Sequence, residues 1–320
     1  EKCEVLEKYP LLKSFIISEE VKGQPSKTPP SIEIMRRLEL IDYEPASEPG
    51  MFRYYPNGAL IKELLEKWIS KIVIDELHAM RIETPLLYNF NEPDIRAQAM
   101  AFRERDYRIE WPRKTLILRF AGDFGLFRMM KNCTFTYKQL PIRIYEISPS
   151  FRKEKRGELT GLRRCSFFHM PDLHCFCRDL EQGKEEFELL FKKYTDLLNG
   201  IKIDYAICFR IVEKHFEELK PMIVKLLKYA KKPALIELLK EAKHYWICKS
   251  EHQAIDSVGG NAQLCTVQLD VEDSERYGIK YVDADGSKKG CIIVHSSVGS
   301  IERLIYAILE TAAKSKNPTL

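Results

Sequence analysis

Phe151-Arg152-Lys153-Glu154-Lys155-Arg156-Gly157-Glu158-Leu159-Thr160-Gly161-Leu162-Arg163-Arg164-Cys165-Ser166-Phe167-Phe168 reads as a hairpin, two strands flanking a charged turn from Lys155 to Thr160. Period-two alternation places Arg152 and Glu154 on one face, and likewise Arg164, Ser166 and Phe168 on the returning strand. Such a face can hold a nucleotide. A planar guanidinium matches phosphate oxygens, a glutamate accepts from an exocyclic amine, and an aromatic ring stacks on a base. Spacing alone equally allows a surface hairpin whose charges serve only solubility. A second pattern bears on that choice. Gly299-Ser300-Ile301-Glu302-Arg303 opens an apolar-periodic helix with an arginine in its first turn, where it opposes the helix dipole. An anionic ligand at that helix start would account for it.

Outward from the hairpin, residues 22–50 are rich in Pro, Gly and Ser and read as an extended lead-in with one helix near 32–40. Apolar residues at helical spacing predict a long amphipathic helix over 60–80. Residues 82–87 look like a strand, and Pro85 within it argues for a sheet edge or an interface. Further strand-like runs lie at 115–120, 142–147, 165–169, 203–210, 263–271, 278–282 and 290–295, with helical stretches at 178–198, 211–231 and 301–315. Strand and helix do not alternate strictly, so the expected class is α+β, an antiparallel β-sheet flanked by helices. No GxxxxGK[ST] or GxGxxG loop is present, so a nucleotide site has to be built from side chains on the sheet. The lysine-rich 213–243 region reads as a solvated helical face.

Composition narrows the class without deciding function. The 320 residues, 45% hydrophobic, suffice for a sizeable core, and a net charge of +4 permits a polyanionic partner without demanding one. No run approaches the roughly 18 apolar residues of a membrane span, and Glu1-Lys2-Cys3-Glu4 lacks a signal-peptide layout. The expected location is cytoplasmic, with no membrane contact, and the nine cysteines are expected as reduced thiols in the core.

Arg152-x-Glu154, the loop, Arg164 and Phe168, with Gly299-x-x-Glu302-Arg303, resemble motifs two and three of the class II aminoacyl-tRNA synthetases. Pro85 in Glu83-Thr84-Pro85 resembles the motif-one proline at their dimer interface. Within that class the chain is similar to the archaeal-type threonyl-tRNA synthetases. The phrases that carry this are Tyr43-Glu44-Pro45-Ala46-Ser47, Arg53-Tyr54-Tyr55-Pro56, Gly157 to Arg164, Met170-Pro171-Asp172-Leu173-His174 and Thr266-Val267-Gln268-Leu269-Asp270. The resemblance spans residues 9–320. It implies a catalytic domain at 51–320, and a lead-in at 1–50 that follows an upstream editing domain. It also implies that the chain stops at Asn317-Pro318-Thr319-Leu320, where an anticodon-binding domain, absent here, would begin.

The same resemblance implies roles. Arg152 binds the α-phosphate of ATP, Arg164 and Arg303 clamp the γ-phosphate, Glu154 reads the adenine amine, Phe168 stacks on the base, and Mg2+ bridges the phosphates. An apolar pocket separates threonine from isosteric valine only roughly a hundredfold. The family answers with Zn2+, which takes the amino and hydroxyl groups of threonine. His174 and His295 match two ligands, and Asp123, in Asp123-Phe124-Gly125, stands where the family has a cysteine. Aspartate can hold zinc through oxygen at about 2.0–2.2 Å with the same single charge as a thiolate. Zinc ranks ahead of no metal, and both ahead of iron. Asp172 matches the carboxylate that accepts from the threonine hydroxyl, and Lys249 and Gln268 are further candidates for that pocket.

Two more positions depart from the family pattern. Ser166 replaces an additional arginine, and the 295–303 stretch is one residue shorter, which could swing His295 away from a metal. The expected function is ATP-dependent formation of threonyl-adenylate and transfer to tRNA(Thr) by a homodimer. The alternative is a catalytically weakened or inactive synthetase-like module that supports tRNA binding, dimerisation or editing. Another class II synthetase or amino-acid ligase on the same ATP platform is a third reading, against which Asp172 and the two histidines argue.

Overall fold

Strands in this chain are set by what covers them. Where both faces are packed, even polar runs extend into the sheet. The structure is a computed structural model that describes residues 4–21, 27–102, 105–155, 157–242 and 244–315. Its centre is an eight-stranded sheet. In chain order the strands are β1 (Met80–Arg81), β2 (Ile142–Phe151), β3 (Phe167–Cys177), β4 (Ala206–Val212), β5 (Ala234–Leu239), β6 (Trp246–Ile255), β7 (Asn261–Asp270) and β8 (Ile292–Ser297). They lie side by side as β5-β4-β6-β7-β8-β3-β2-β1. The inner pairings are antiparallel, and only the outermost pairs, β5 with β4 and β1 with β2, are parallel. The α+β class on an antiparallel-rich sheet is what the chain adopts.

One face is apolar. Tyr145, Leu173, Phe209, Val267 and Val294 meet helices α1 (Pro56–Lys71), α3 (Leu180–Gly200) and α5 (Ile301–Lys314), with Phe187, Leu190 and Leu304 among the packed residues. Here α2 is Asp123–Asn132 and α4 is Phe216–Ala230. Each large side chain so buried contributes roughly 1.5–3 kcal/mol. The opposite face carries the polar residues of the site described below. Asp179 caps α3 by accepting from the Gln182 N–H, and Ser300 caps α5 through Arg303 N–H.

Several expectations shift. The helix expected over 60–80 is α1 plus one π turn, Ile72–Glu76, and it stops at Leu77. Val73 and Leu77, four residues apart, are both buried in the core. No strand runs over 82–87. The Thr84 N–H is taken by the Glu146 carboxylate at 2.7 Å and Pro85 has no N–H to give, so the chain leaves the sheet after Arg81 and re-enters a small three-stranded one at Leu87–Asn89. Strands β5 and β6 and helix α2 had no counterpart in the sequence reading, β3 runs on to Cys177, and α4 starts only at Phe216 because Ile211 and Val212 finish β4.

After a single helical turn at Glu4–Glu7, the expected lead-in holds two longer helices, Pro10–Val21 and Pro30–Arg37. The first packs Leu12 and Phe15 on Ala206 and Cys208. Residues 22–26 of that lead-in, Arg156 of the hairpin turn and the chain end at 317–320 lie outside the described residues. The described cysteines are all free thiols, buried except Cys133. No described helix is long and apolar enough to cross a membrane.

Candidate active site

Arg152, Glu154, Arg164, Phe168 and Arg303 line one cleft. The hairpin that supplies four of them is less regular than alternation implies. Ladder pairing stops at Phe151 and resumes at Phe167, and the segment between is closed by Arg152 N–H donating to Ser166 O at 2.8 Å. Ser166 therefore does not share the face of Arg164 and Phe168. Its hydroxyl turns away to the Pro49 carbonyl at 2.7 Å, and Cys165 lines the cleft in its place.

Two cations in this cleft lack carboxylate partners among the described residues. The Arg152 guanidinium sits between the rings of Phe102 and Phe168, 5.1 and 5.0 Å from their centroids, and its Nε donates to Phe120 O at 3.2 Å. Arg303 donates to the carbonyls of Arg163 and Gln263, both at 3.0 Å. Burial pushes Arg152 down to about 10, and the nearby Arg303 charge adds to the fall. Burial lowers Arg303 too, with Arg164 contributing. Such an arrangement is relieved by a polyanion. Arg164 is differently held, forked onto Glu154 at 2.9 and 3.1 Å, while Arg105 reaches the same carboxylate at 3.2 Å. Gly299 lets the α5 start approach this wall. At φ +82 a side chain is strained, and a Cβ there would lie 2.4 Å from Leu264 O.

The polar face continues the cleft as rows across the sheet. His174 on β3, His295 on β8, Gln268 on β7 and Lys249 on β6 are successive cross-strand partners, so their side chains share one face. The next row runs Glu146, Asp172, Ser297, Thr266, Glu251. Lys249 points its ammonium at Glu251 (2.7 Å) and Gln263 (3.0 Å), two strands from His295, and Gln268 accepts from Tyr245 at 3.0 Å. Asp172 has no hydrogen-bond partner among the described residues. Burial drives its carboxyl well above the usual range, with Asp123 and Glu146 adding negative charge nearby. Ser148, Ser150 and Thr266 hydroxyls on this face are buried and also without partners among the described residues. Buried polar atoms left open in this way mark a place for a polar ligand. Gly122 keeps the space clear, since a Cβ there would come within 3.0 Å of Asp172 Oδ2 and 3.2 Å of Ser148 Oγ.

Asp123, in the first turn of α2, meets the histidine pair. One ligand atom from each of Asp123, His174 and His295 lies within 4.8 Å of the others. Asp123 Oδ1 is 3.1 Å from His174 Nε2, and Gln98 donates to Oδ2 at 3.3 Å. Burial resists ionisation of Asp123, but the His174 hydrogen bond and the His174, His295 and Arg152 charges outweigh it and hold the carboxyl below its ordinary value. An ionised carboxylate with two imidazoles suits a divalent transition ion such as zinc. The shorter 295–303 stretch does not move His295 out of this cluster, because β8 keeps it in direct register with His174.

The sequence reading passed over Tyr245, stacked on His295 at 4.8 Å, and Asp270, whose Oδ2 is 2.7 Å from His295 Nε2. It also passed over Arg119, buried between Glu146 and Thr84 beneath the Asp172 row. Only Asp270 had a local signal, two residues after Gln268 on a strand and hence on the same face.

Comparison with known proteins agrees with this layout. Residues 107–312 match the family described as tRNA synthetase class II core domain (G, H, P, S and T). The chain is 45% identical over 293 residues to the threonine–tRNA ligase of Pyrococcus furiosus, covering 90% of this chain and 47% of that protein. It is 42% identical over 311 residues to that of Methanosarcina acetivorans, covering 95% and 49%. The chain thus spans about half the length of the curated relatives it matches. Among solved structures, a threonyl-tRNA synthetase RNA binding domain from Cryptosporidium parvum superposes with a TM-score of 0.76 at 21% identity, over 89% of this chain and 73% of that one. Prolyl-tRNA synthetase from Giardia lamblia, in complex with prolyl-adenylate, follows at 0.70 and 15%, over 88% and 52%. With its sheet, its arginine-lined cleft and the match over most of its length, the chain belongs to the class II tRNA synthetase core family.

Proposed function

We propose that this chain activates threonine with ATP as threonyl-adenylate and passes it to tRNA(Thr), acting in the cytoplasm as a homodimer. The observation that carries the reading is the cleft that holds Arg152 and Arg303, half-buried cations without carboxylate partners among the described residues, close to the sheet face on which the Asp172 acceptor is open. In the reaction a carboxylate oxygen of threonine bonds to the α-phosphorus. The bond from that phosphorus to the β-bridging oxygen breaks, and pyrophosphate leaves with the electron pair. Arg152 stabilises the charge that builds on the α-phosphoryl oxygens, and Arg303 with Arg164, once Arg164 exchanges Glu154 for phosphate, holds the leaving group. Glu154 is then free to accept from the adenine amine, and Phe168 offers its ring to the base. Mg2+ would accompany ATP as its usual counter-ion.

Asp172 accepts from the threonine hydroxyl. Valine would leave that buried carboxylate unpaired, which costs far more than a missing methylene does. Bound by Asp123, His174 and His295, a zinc ion would add Lewis-acid attachment for the amino and hydroxyl groups of threonine. Gln268 and Lys249 border this pocket along the same row. Pro85, with the edge strand β1, is assigned to the dimer contact.

A second reading, a weakened module that keeps dimer and tRNA surfaces, draws on one observation: Asp123 hydrogen-bonds His174, so an ion has to displace that contact. Threonine-dependent exchange of labelled pyrophosphate into ATP separates the two. Activation predicts exchange with threonine, little with valine, and a loss of about a hundredfold or more in Arg152→Ala. Folded, zinc-supplied protein that gives no exchange above background would remove the first reading in favour of the second.

A further inference from the structure

Asp270 is among the most completely buried carboxylates of the described residues, with no exposed side-chain surface, and both its oxygens are committed. Oδ1 accepts the backbone N–H groups of Glu272 and Asp273 at 2.8 and 3.0 Å. Oδ2 faces His295 Nε2 at 2.7 Å. With Oδ1 taken by the two amides, Oδ2 is the carboxylate oxygen left to accept from the imidazole, so the proton of this last contact belongs to the ring and Nε2 is its N–H. The ring nitrogen left with a lone pair is Nδ1. The imidazole is also clamped, with Tyr245 stacked at 4.8 Å, the Phe127 ring edge-on at 5.8 Å and His174 at 4.8 Å. His295 thus sits between Asp270 on one strand and the Asp123–His174 pair beyond the other.

We propose that Asp270 is the positioning residue of the candidate metal site: it holds His295 as the Nε2–H tautomer and so presents Nδ1 as the ligand nitrogen beside Asp123 and His174. The inference rests on the metal reading given above and adds to it the residue that makes His295 a ligand. Its physical basis is that an imidazole nitrogen binds a cation only when it carries no proton, and an outer carboxylate decides which nitrogen that is. Asp273 lies in the same cluster, but its Oδ1 is engaged by Arg276 at 2.8 Å, and it is Asp270 that hydrogen-bonds the ring.

Asp270→Asn gives the sharp test because it keeps the volume and reverses the polarity. The amide oxygen has to go on accepting from the Glu272 and Asp273 N–H groups, which turns the NH2 group toward Nε2. Nε2 must then accept, the ring proton moves to Nδ1, and the lone pair facing the site is lost. Two measurements read this out. Long-range 1H–15N spectra of the metal-free protein, with the His295 ring assigned by its absence in His295→Gln, should show Nε2–H in the wild type and Nδ1–H in Asp270→Asn. Cobalt(II) titration followed by absorption, in competition with a chelator, should give a dissociation constant roughly 10–100-fold weaker in Asp270→Asn, with little change in the unfolding temperature of the metal-free protein. A wild-type His295 carrying its proton on Nδ1 overturns the proposal even if the variant fails to fold. Equal cobalt affinity in the two folded proteins overturns it as well. Wild-type protein that takes up no cobalt overturns the metal reading itself, a result distinct from either.

Discussion

Asp172 titrates well above an ordinary aspartate because burial strips its water and Asp123 and Glu146 lie close, and the Arg152 and Arg119 charges offset only part of this. Its folded pKa lies above the ordinary aspartate value of 3.8, so the folded state holds on to a proton that the unfolded chain releases. Stability is therefore drained as pH rises past 3.8, until the pH passes the raised folded value. Asp172→Asn should raise the thermal midpoint of the ligand-free protein at pH 7 by a few degrees. The gain should vanish near pH 3, where both forms are neutral, as calorimetry at the two pH values would register. The same variant should lose the preference for threonine over valine in pyrophosphate exchange. Stability and function thus oppose each other at this residue, as expected where a ligand supplies the missing hydrogen bond. The residue itself was legible in the phrase Met170 to His174. Its lack of a partner was not, because that depends on Gly122, Ser148 and Glu146 arriving from other parts of the chain.

At the scale of an element, β6 is instructive. Its centre, Lys249-Ser250-Glu251-His252-Gln253, has no apolar alternation, and nothing in it marks a strand. Partners outside the strand make the difference: Gln263 takes Lys249, Arg210 reaches Glu251, and Thr195 on α3 meets His252 Nε2 at 3.0 Å. Burial holds His252 down to about 3, with the Lys232 charge assisting, so it is neutral when folded while the unfolded chain takes a proton near 6.5. This contribution to stability is whole above pH 6.5 and is lost as pH falls toward 3, at about 1.4 kcal/mol per pH unit. Urea unfolding at pH 7 and pH 5 should show that loss in the wild type and a flatter dependence in His252→Gln. An unchanged slope would assign the acid limb to other groups.

For the whole molecule the outstanding feature is the β1 end of the sheet. A two-residue strand paired, among the described residues, only to β2 leaves Met80 56% exposed, and Leu86 and Leu87 are exposed just after Pro85. Apolar edges of this kind need cover. If a second copy supplies it, Met80→Asp should convert dimer to monomer in sedimentation at micromolar concentration with the far-ultraviolet spectrum unchanged. A dimer that persists would place the interface elsewhere. Taken by itself, the sequence pointed to the class of the sheet and to Arg152, Glu154, Arg164, Phe168 and Arg303 through residue types at short, countable spacings, while Asp123, Asp172, His174 and His295 came only from its resemblance to a known family. Only the tertiary structure decided that His174, His295, Gln268 and Lys249 form one row, that Ser166 turns away, that Pro85 lies outside the strand and that Asp270 grips His295. Those outcomes depend on strand register and on hydrogen bonds between segments far apart in the chain, and no local pattern of side chains specifies which distant backbone will stand opposite.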